Sequence, residues 1–226
     1  MQQDASESGD PLIGRVIDGR FTIQSVLGRG GMGVVYRAHP ASLERSVALK
    51  VMTGVPPERE AEFQRRFFLE AATAAKLKHP NTITIFDYGS SVVDDERVFF
   101  IAMELLDGVP LQKLVAKGKA LAPLRALHIA LQISRSLREA HKGGVVHRDL
   151  KPGNVMLVKQ DEADDVDGDF VKVLDFGLAK VPQQPDQPGV VEGLTKAGTF
   201  MGSPRYVAPE QIEGRPVDAR ADIYSL

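Results

Sequence analysis

Eight consecutive residues, His147-Arg148-Asp149-Leu150-Lys151-Pro152-Gly153-Asn154, put a carboxylate, a cation and an uncharged oxygen donor in one short stretch. Downstream, Asp175-Phe176-Gly177 adds a second carboxylate. Upstream, Gly28-Arg29-Gly30-Gly31-Met32-Gly33 and Val47-Ala48-Leu49-Lys50 add glycine-rich backbone and a lysine, and Ala208-Pro209-Glu210 closes the series. A carboxylate beside an attacking hydroxyl, oxygen ligands for a hard cation and backbone N–H groups over phosphates are the parts needed to move the γ-phosphoryl group of ATP onto a hydroxyl. The order of the motifs carries more than any one of them, because a lone Gly-x-Gly-x-x-Gly also serves dinucleotide-binding folds.

Context separates those two uses of the glycines. In a dinucleotide fold they open a helix, and an acidic residue about 20 positions on meets the ribose. Here Val34-Val35 follow, and a lysine, Lys50, occupies the later position. A strand–loop–strand flap suits phosphates covered from above, and Gly28, Gly30 and Gly33 would let backbone approach them without a Cβ in the way. For this segment alone, a plain glycine-rich hairpin is the competing reading. Lys50 lies among Val47, Ala48, Leu49 and Val51, where a lysine without a partner would be unusual.

The elements that must position these groups are legible from periodicity. Phe21 to Tyr36 reads as strand, turn and strand, and Ser46 to Met52 as a third strand. A helix is predicted from Pro56-Pro57 to about Leu77, with Phe63, Phe67, Ala71, Ala74 and Leu77 at helical spacing. Thr82 to Tyr88 and Val98 to Met103 suit two more strands, which completes a small antiparallel sheet with one helix. After Asp107-Gly108, read as a hinge, the pattern turns helical. Pro123 starts a long helix whose Leu127, Ala130-Leu131, Ser134, Leu137 and His141 are expected on one face, ended by Gly143-Gly144. Two short strands, near Val155–Val158 and Val171–Leu174, flank an acidic stretch, and Val181 to Gly202 reads as a loop.

Composition sets the outer bounds. The chain has 226 residues, 43% hydrophobic and 26% charged, with a net charge of −2, as in ordinary globular proteins. Lys and Arg are not clustered, so no nucleic-acid partner is expected. Zero cysteines exclude disulfides and thiolate metal sites. No run approaches the ~18 apolar residues of a membrane span, and the polar start lacks a signal-peptide pattern. Residues 1–20 are expected as a disordered leader, and the localisation as cytoplasmic. The acidic run from Asp161 to Asp169 fails as a calcium loop: with Gly168 at the sixth position, Ala163 and Leu174 would fall on ligand positions.

In order and spacing the motifs resemble the protein kinase superfamily, and more closely the Ser/Thr kinases of bacteria. The resemblance implies an α+β, two-lobed fold: a β-rich small lobe over 21–106 and a mainly helical large lobe over 107–226. It also implies roles. Asp149 would be the catalytic carboxylate, Lys151 would neutralise the γ-phosphate, and Asn154 and Asp175 would hold Mg²⁺, or Mn²⁺ in its place. Lys50 would contact the α- and β-phosphates and pair with a helix glutamate, best matched by Glu70. Glu60 and Glu62 suit a first helical turn instead. Leu27, Gly28, Gly30, Gly33, Val35, Ala48, Met103, Glu104, Leu106 and Leu157 would surround the nucleotide, with Met103 as gatekeeper and backbone at Glu104 and Leu106 on adenine. His147 would pack on Phe176. Arg148 could pair with a phosphate on Thr195 or Thr199, and Lys151 with Ser203 points to serine or threonine as acceptor.

The implied activity is ATP-dependent phosphorylation of protein serine and threonine, with self-association for autophosphorylation of the activation loop. Asp222 would brace the backbone around His147 and Arg148 at the start of a central helix. The family continues beyond that helix, so the large lobe is expected to be incomplete and the chain a fragment or truncated product. Exposing several hundred Å² of the long helix at ~25 cal/mol per Å² would cost on the order of 10 kcal/mol. The competing readings are an inactive nucleotide-binding or partner-binding fragment and a small-molecule phosphotransferase sharing Asp149, Asn154 and Asp175.

Overall fold

The computed structural model describes residues 9–31, 33–42, 45–116, 120–159, 169–176 and 204–226. The chain divides into two compact units, one holding residues up to Ala75 with Thr84–Leu106, the other Lys76–Ile83 with Asp107–Leu226. The class is α+β.

The first unit is a six-stranded antiparallel sheet with one helix. Its elements are β1 (Val16–Ile17), β2 (Phe21–Gly30), β3 (Gly33–Pro40), β4 (Val47–Met52), α1 (Pro57–Ala74), β5 (Ile85–Val93) and β6 (Glu96–Glu104). The sheet order is β1-β2-β3-β4-β6-β5. Alternation along β4 decides what each face carries. Val47, Leu49 and Val51 join Tyr36, Ala38, Phe100 and Ala102 in the main apolar cluster. Ala48 and Lys50 point the other way, opposite Met103 and Ile101 on β6, with Val35 of β3 opposite Lys50. Helix α1 starts at a proline in its first turn, followed by Glu58 and Glu60, as a helix N-terminus favours. Its Phe63 and Phe67 pack on Phe99, at ring distances of 4.8 and 5.4 Å. Phe99 shares its face of β6 with Ile101 and Met103, so α1 covers the face that carries Lys50.

The leader expected over 1–20 takes part in the fold from residue 10 onward. Leu12 and Ile17 are buried in the apolar cluster and β1 pairs with β2. The apolar residues there are too sparse to show a period, so the sequence alone gives them no strand signal.

The second unit contains β7 (Gly108–Pro110), α2 (Leu111–Val115), α3 (Pro123–Lys142), β8 (Val155–Lys159), β9 (Asp169–Val173), α4 (Pro209–Ile212) and α5 (Ala219–Ser225). Strands β7, β8 and β9 form a small antiparallel sheet, so Gly108, expected at a hinge, begins a strand. Helix α3 has the predicted extent. Its end is closed by Gly143 and by Gly144 at φ 74°, with Val145 N–H donating back to Ala140 O at 2.9 Å.

The single face expected from Leu127 to His141 of α3 divides: Leu137 is buried, whereas Leu127 and Leu131 lie open, as the cost of an exposed helix face anticipates. Ile129, Gln132, Ile133, Ser136, Leu137 and Ala140 are buried, whereas Leu124, Leu127 and Leu131 are 75, 66 and 50% exposed. The helix has two apolar stripes, and the described residues cover the one that faces β9.

Buried Gln132 explains why 76–83 joins this unit. Its Oε1 accepts from Asn81 Nδ2 and Val171 N, both at 2.9 Å, and its Nε2 donates to Asp169 O at 3.0 Å. Among the described residues no helix is long and apolar enough to cross a membrane.

Candidate active site

In the first unit, β2 and β3 form the glycine-rich flap, with Gly30 opposite Gly33 at its end. Gly33 has φ 139°, and a Cβ there would meet Val51 O at 2.2 Å, so only glycine fits. Gly28 and Gly30 differ. A Cβ at Gly28 would meet nothing within 4 Å, and one at Gly30 only Gly33 O at 3.9 Å. Their bare backbone leaves open space of the kind a phosphate could fill. Lys50 is 9% exposed in a strand buried throughout.

Glu70 stands seven positions after Phe63 and three after Phe67, on the face of α1 that packs on the sheet. Glu60 is bound to Arg97 at 2.6 Å and Glu62 to Arg66 at 2.7 Å, so arginines hold the two rival glutamates. At the end of β6, Glu104 N–H donates to Thr84 O at 3.0 Å, and Thr84 N–H donates to the Glu104 carboxylate at 2.6 Å. Any contact of a base with the Glu104 backbone must therefore use the carbonyl. Ala48 and Met103 are direct cross-strand partners; Leu27 is half-exposed.

In the second unit the charged groups converge on Asp149. Lys151 Nζ donates to its Oδ2 at 2.7 Å and Asn154 Nδ2 to the same oxygen at 3.0 Å. Both side-chain donors meet Oδ2, which leaves Oδ1 as the oxygen suited to take a hydroxyl proton. Asn154 Nδ2 also donates to Asp149 O at 2.8 Å. With its nitrogen turned to Asp149, the planar amide aims Oδ1 of Asn154 the opposite way. Leu174 N–H donates to Asn154 O at 2.9 Å, which brings the chain just before Asp175 alongside Asn154. Leu157 is buried on β8.

An amide oxygen and a carboxylate suit a hard divalent cation. Among the described residues no group of three or more His, Asp or Glu could hold a metal unaided. The amide oxygen of Asn154 and the carboxylate of Asp175 are donors of the kind such a cation takes.

The chain on either side of Asp149 includes residues in a strained conformation. Arg148 and Asp175 have φ of 65° and 56°. Around Arg148 the strain is over-determined. Asp222, 1% exposed, accepts from His147 N and Arg148 N, both at 2.8 Å, and Gln211 Nε2 donates to Arg148 O at 2.8 Å. His141 Nε2 adds a third bond to Asp222 at 2.7 Å. The resemblance points to Asp222 as a brace; Gln211, 63 positions from Arg148, is marked neither by the resemblance nor by a local pattern. His147 is fully buried against Phe176, ring centroids 4.8 Å apart, and its Nε2 meets Leu174 O at 2.8 Å. Gly177, Thr195, Thr199 and Ser203 lie outside the described residues.

Comparison with known proteins follows the same line. The protein kinase domain family matches residues 21–226. A probable serine/threonine-protein kinase of Streptomyces coelicolor is 38% identical over 93% of this chain, and serine/threonine-protein kinase pkn3 of Myxococcus xanthus is 39% identical over 96%. The chain spans only 29% and 38% of those two proteins. Among solved structures, a double-mutant form of the Mycobacterium tuberculosis PknI kinase domain superposes with a TM-score of 0.68 at 30% identity, over 96% of this chain and 74% of that one.

Proposed function

Because this chain belongs to the protein kinase domain family, we propose that it transfers the γ-phosphoryl group of ATP to serine or threonine hydroxyls of proteins, including Thr195 or Thr199 of its own activation segment. The observation that carries this is Asp149, held by Lys151 and Asn154 through one carboxylate oxygen with the other suited to a hydroxyl. Asp149 orients the acceptor hydroxyl and takes its proton. The hydroxyl oxygen bonds to the γ-phosphorus as the bond to the β-phosphate bridging oxygen breaks, and ADP leaves with that electron pair. Lys151 offsets charge on the transferring group. Asn154 and Asp175 would hold a divalent metal, Mg²⁺ with Mn²⁺ as substitute, which neutralises phosphate charge when bound. Lys50, positioned by Glu70, would contact the α- and β-phosphates under the flap of Gly28, Gly30 and Gly33. Leu27, Val35, Ala48, Met103, the Glu104 carbonyl, Leu106 and Leu157 would hold adenine.

The test compares the chain with Asp149→Asn, using labelled ATP, Mg²⁺ and a generic basic protein. Removing a positioned base is expected to lower incorporation by about 10²–10⁴-fold. Equal labelling by the two would refute the assignment. A second reading, nucleotide binding without turnover, is favoured by the exposed stripe of Leu124, Leu127 and Leu131 on the unit that carries Asp149. A thermal melt raised by ATP without any labelling would select it.

A further inference from the structure

The proposed reaction does not use one buried carboxylate that reaches the flap. Asp10 lies 19 residues before Arg29 in sequence, and its side chain is 3% exposed. Arg29 Nη2 donates to Asp10 Oδ2 at 2.6 Å, and the Tyr36 hydroxyl donates to the same carboxylate at 3.0 Å. Leu12 N–H donates to Oδ1, also at 3.0 Å. Tyr36 is 2% exposed within the apolar cluster, at the inner part of β3. Arg29 stands between Gly28 and Gly30 at the outer end of β2, where Leu27 to Gly30 are all exposed. Packing therefore fixes one end of the flap and leaves the other in solvent. Asp10 joins the two.

We propose that Asp10 is a positioning residue for the glycine-rich flap: through Arg29 and Tyr36 it ties the outer end to the core and keeps the backbone at 28–31 preformed for a triphosphate. This rests on the nucleotide-binding reading given above. A charge-assisted bond to a buried carboxylate is among the stronger side-chain links, and a preformed loop binds more tightly because less ordering remains to be done. Burial alone would raise the Asp10 pKa. The bonds from Leu12 N–H, Arg29 and Tyr36 outweigh it and hold the carboxyl below its ordinary value, so the link is intact at neutral pH.

The test uses the full chain with Asp10→Asn, which keeps the shape, Arg29→Gln, which alters an exposed side chain, and the double variant. Three quantities are measured: affinity for ATP with Mg²⁺, affinity for adenosine, and hydrogen exchange of the amides at 28–31 without nucleotide. Each single variant is expected to bind ATP about three- to tenfold more weakly, with no further loss in the double variant. Adenosine affinity should hold, because it has no phosphates to meet the flap, and exchange at 28–31 should quicken. Unchanged ATP affinity, equal loss of ATP and adenosine, or unchanged exchange would each overturn the proposal. If the parent binds no ATP, the kinase reading fails; faster exchange in the variants would then still establish the tether, and unchanged exchange would refute it.

Discussion

His147 sits within two residues of Asp149, yet its surroundings give it a different role. Its Nε2 faces Leu174 O, so that nitrogen carries the proton, and Nδ1 is left to accept Asp149 N–H at 3.3 Å. Complete burial lowers its pKa below the ordinary value, although Asp222 and the Leu174 carbonyl pull the other way. A neutral, doubly hydrogen-bonded ring packed on Phe176 is a scaffold, which leaves Asp149 as the residue proposed for the base. The depressed pKa has a consequence for stability. As pH falls below about 6.5, the unfolded chain takes up a proton that the folded chain does not, so stability falls by up to ~1.4 kcal/mol per pH unit for such a histidine. Burial lowers His79 likewise. Melting temperature is therefore expected to drop between pH 8 and pH 5.5. A drop that persists in His79→Gln assigns it to His147, and a flat profile would refute the buried neutral ring. The motif around Asp149 was readable because its members are adjacent in sequence. Gln211 was not, because its bond to Arg148 exists only once the chain has turned back.

At the scale of elements, the flap shows that glycines of one motif serve different ends. Gly33 is required by the protein itself: β3 passes so close to β4 that a Cβ would strike Val51 O. Gly28 faces open space. Gly33→Ala is expected to destabilise the fold by about 1–3 kcal/mol through backbone displacement and a disfavoured φ. Gly28→Ala should leave the melt within about 0.5 kcal/mol of the parent and weaken ATP binding. Paired melts and ATP titrations check both, and a Gly33→Ala variant as stable as the parent would show that β3 and β4 can separate at no cost. Helix α1 was legible from the spacing of Phe63, Phe67, Ala71 and Ala74. The sequence already prefers Glu70, because Glu60 and Glu62 fall in the first turn; that Arg97 and Arg66 pair with those two is visible only in the structure.

At the scale of the whole molecule, α3 carries two stripes, and the described residues bury one. Leu137, 1% exposed, should cost about 2–5 kcal/mol when changed to alanine. The pair Leu127→Gln and Leu131→Gln, on the exposed stripe, should each change stability by less than about 0.5 kcal/mol. Urea denaturation distinguishes them, and a large loss from the exposed pair would mean that the stripe is covered in solution. The sequence by itself determined the family and most of the elements: the motifs follow one another in a recognisable order, and periods of two and 3.6 are local properties of the backbone. Tertiary structure alone decided which stripe of α3 is buried, that 10–17 joins the sheet, and that 76–83 belongs with the second unit through Asn81 and Gln132. It also decided that Asp10 reaches the flap. Each of these depends on contacts between residues far apart in the chain, where burial of an apolar face or satisfaction of a buried polar group selects the partner, and no local pattern records that choice.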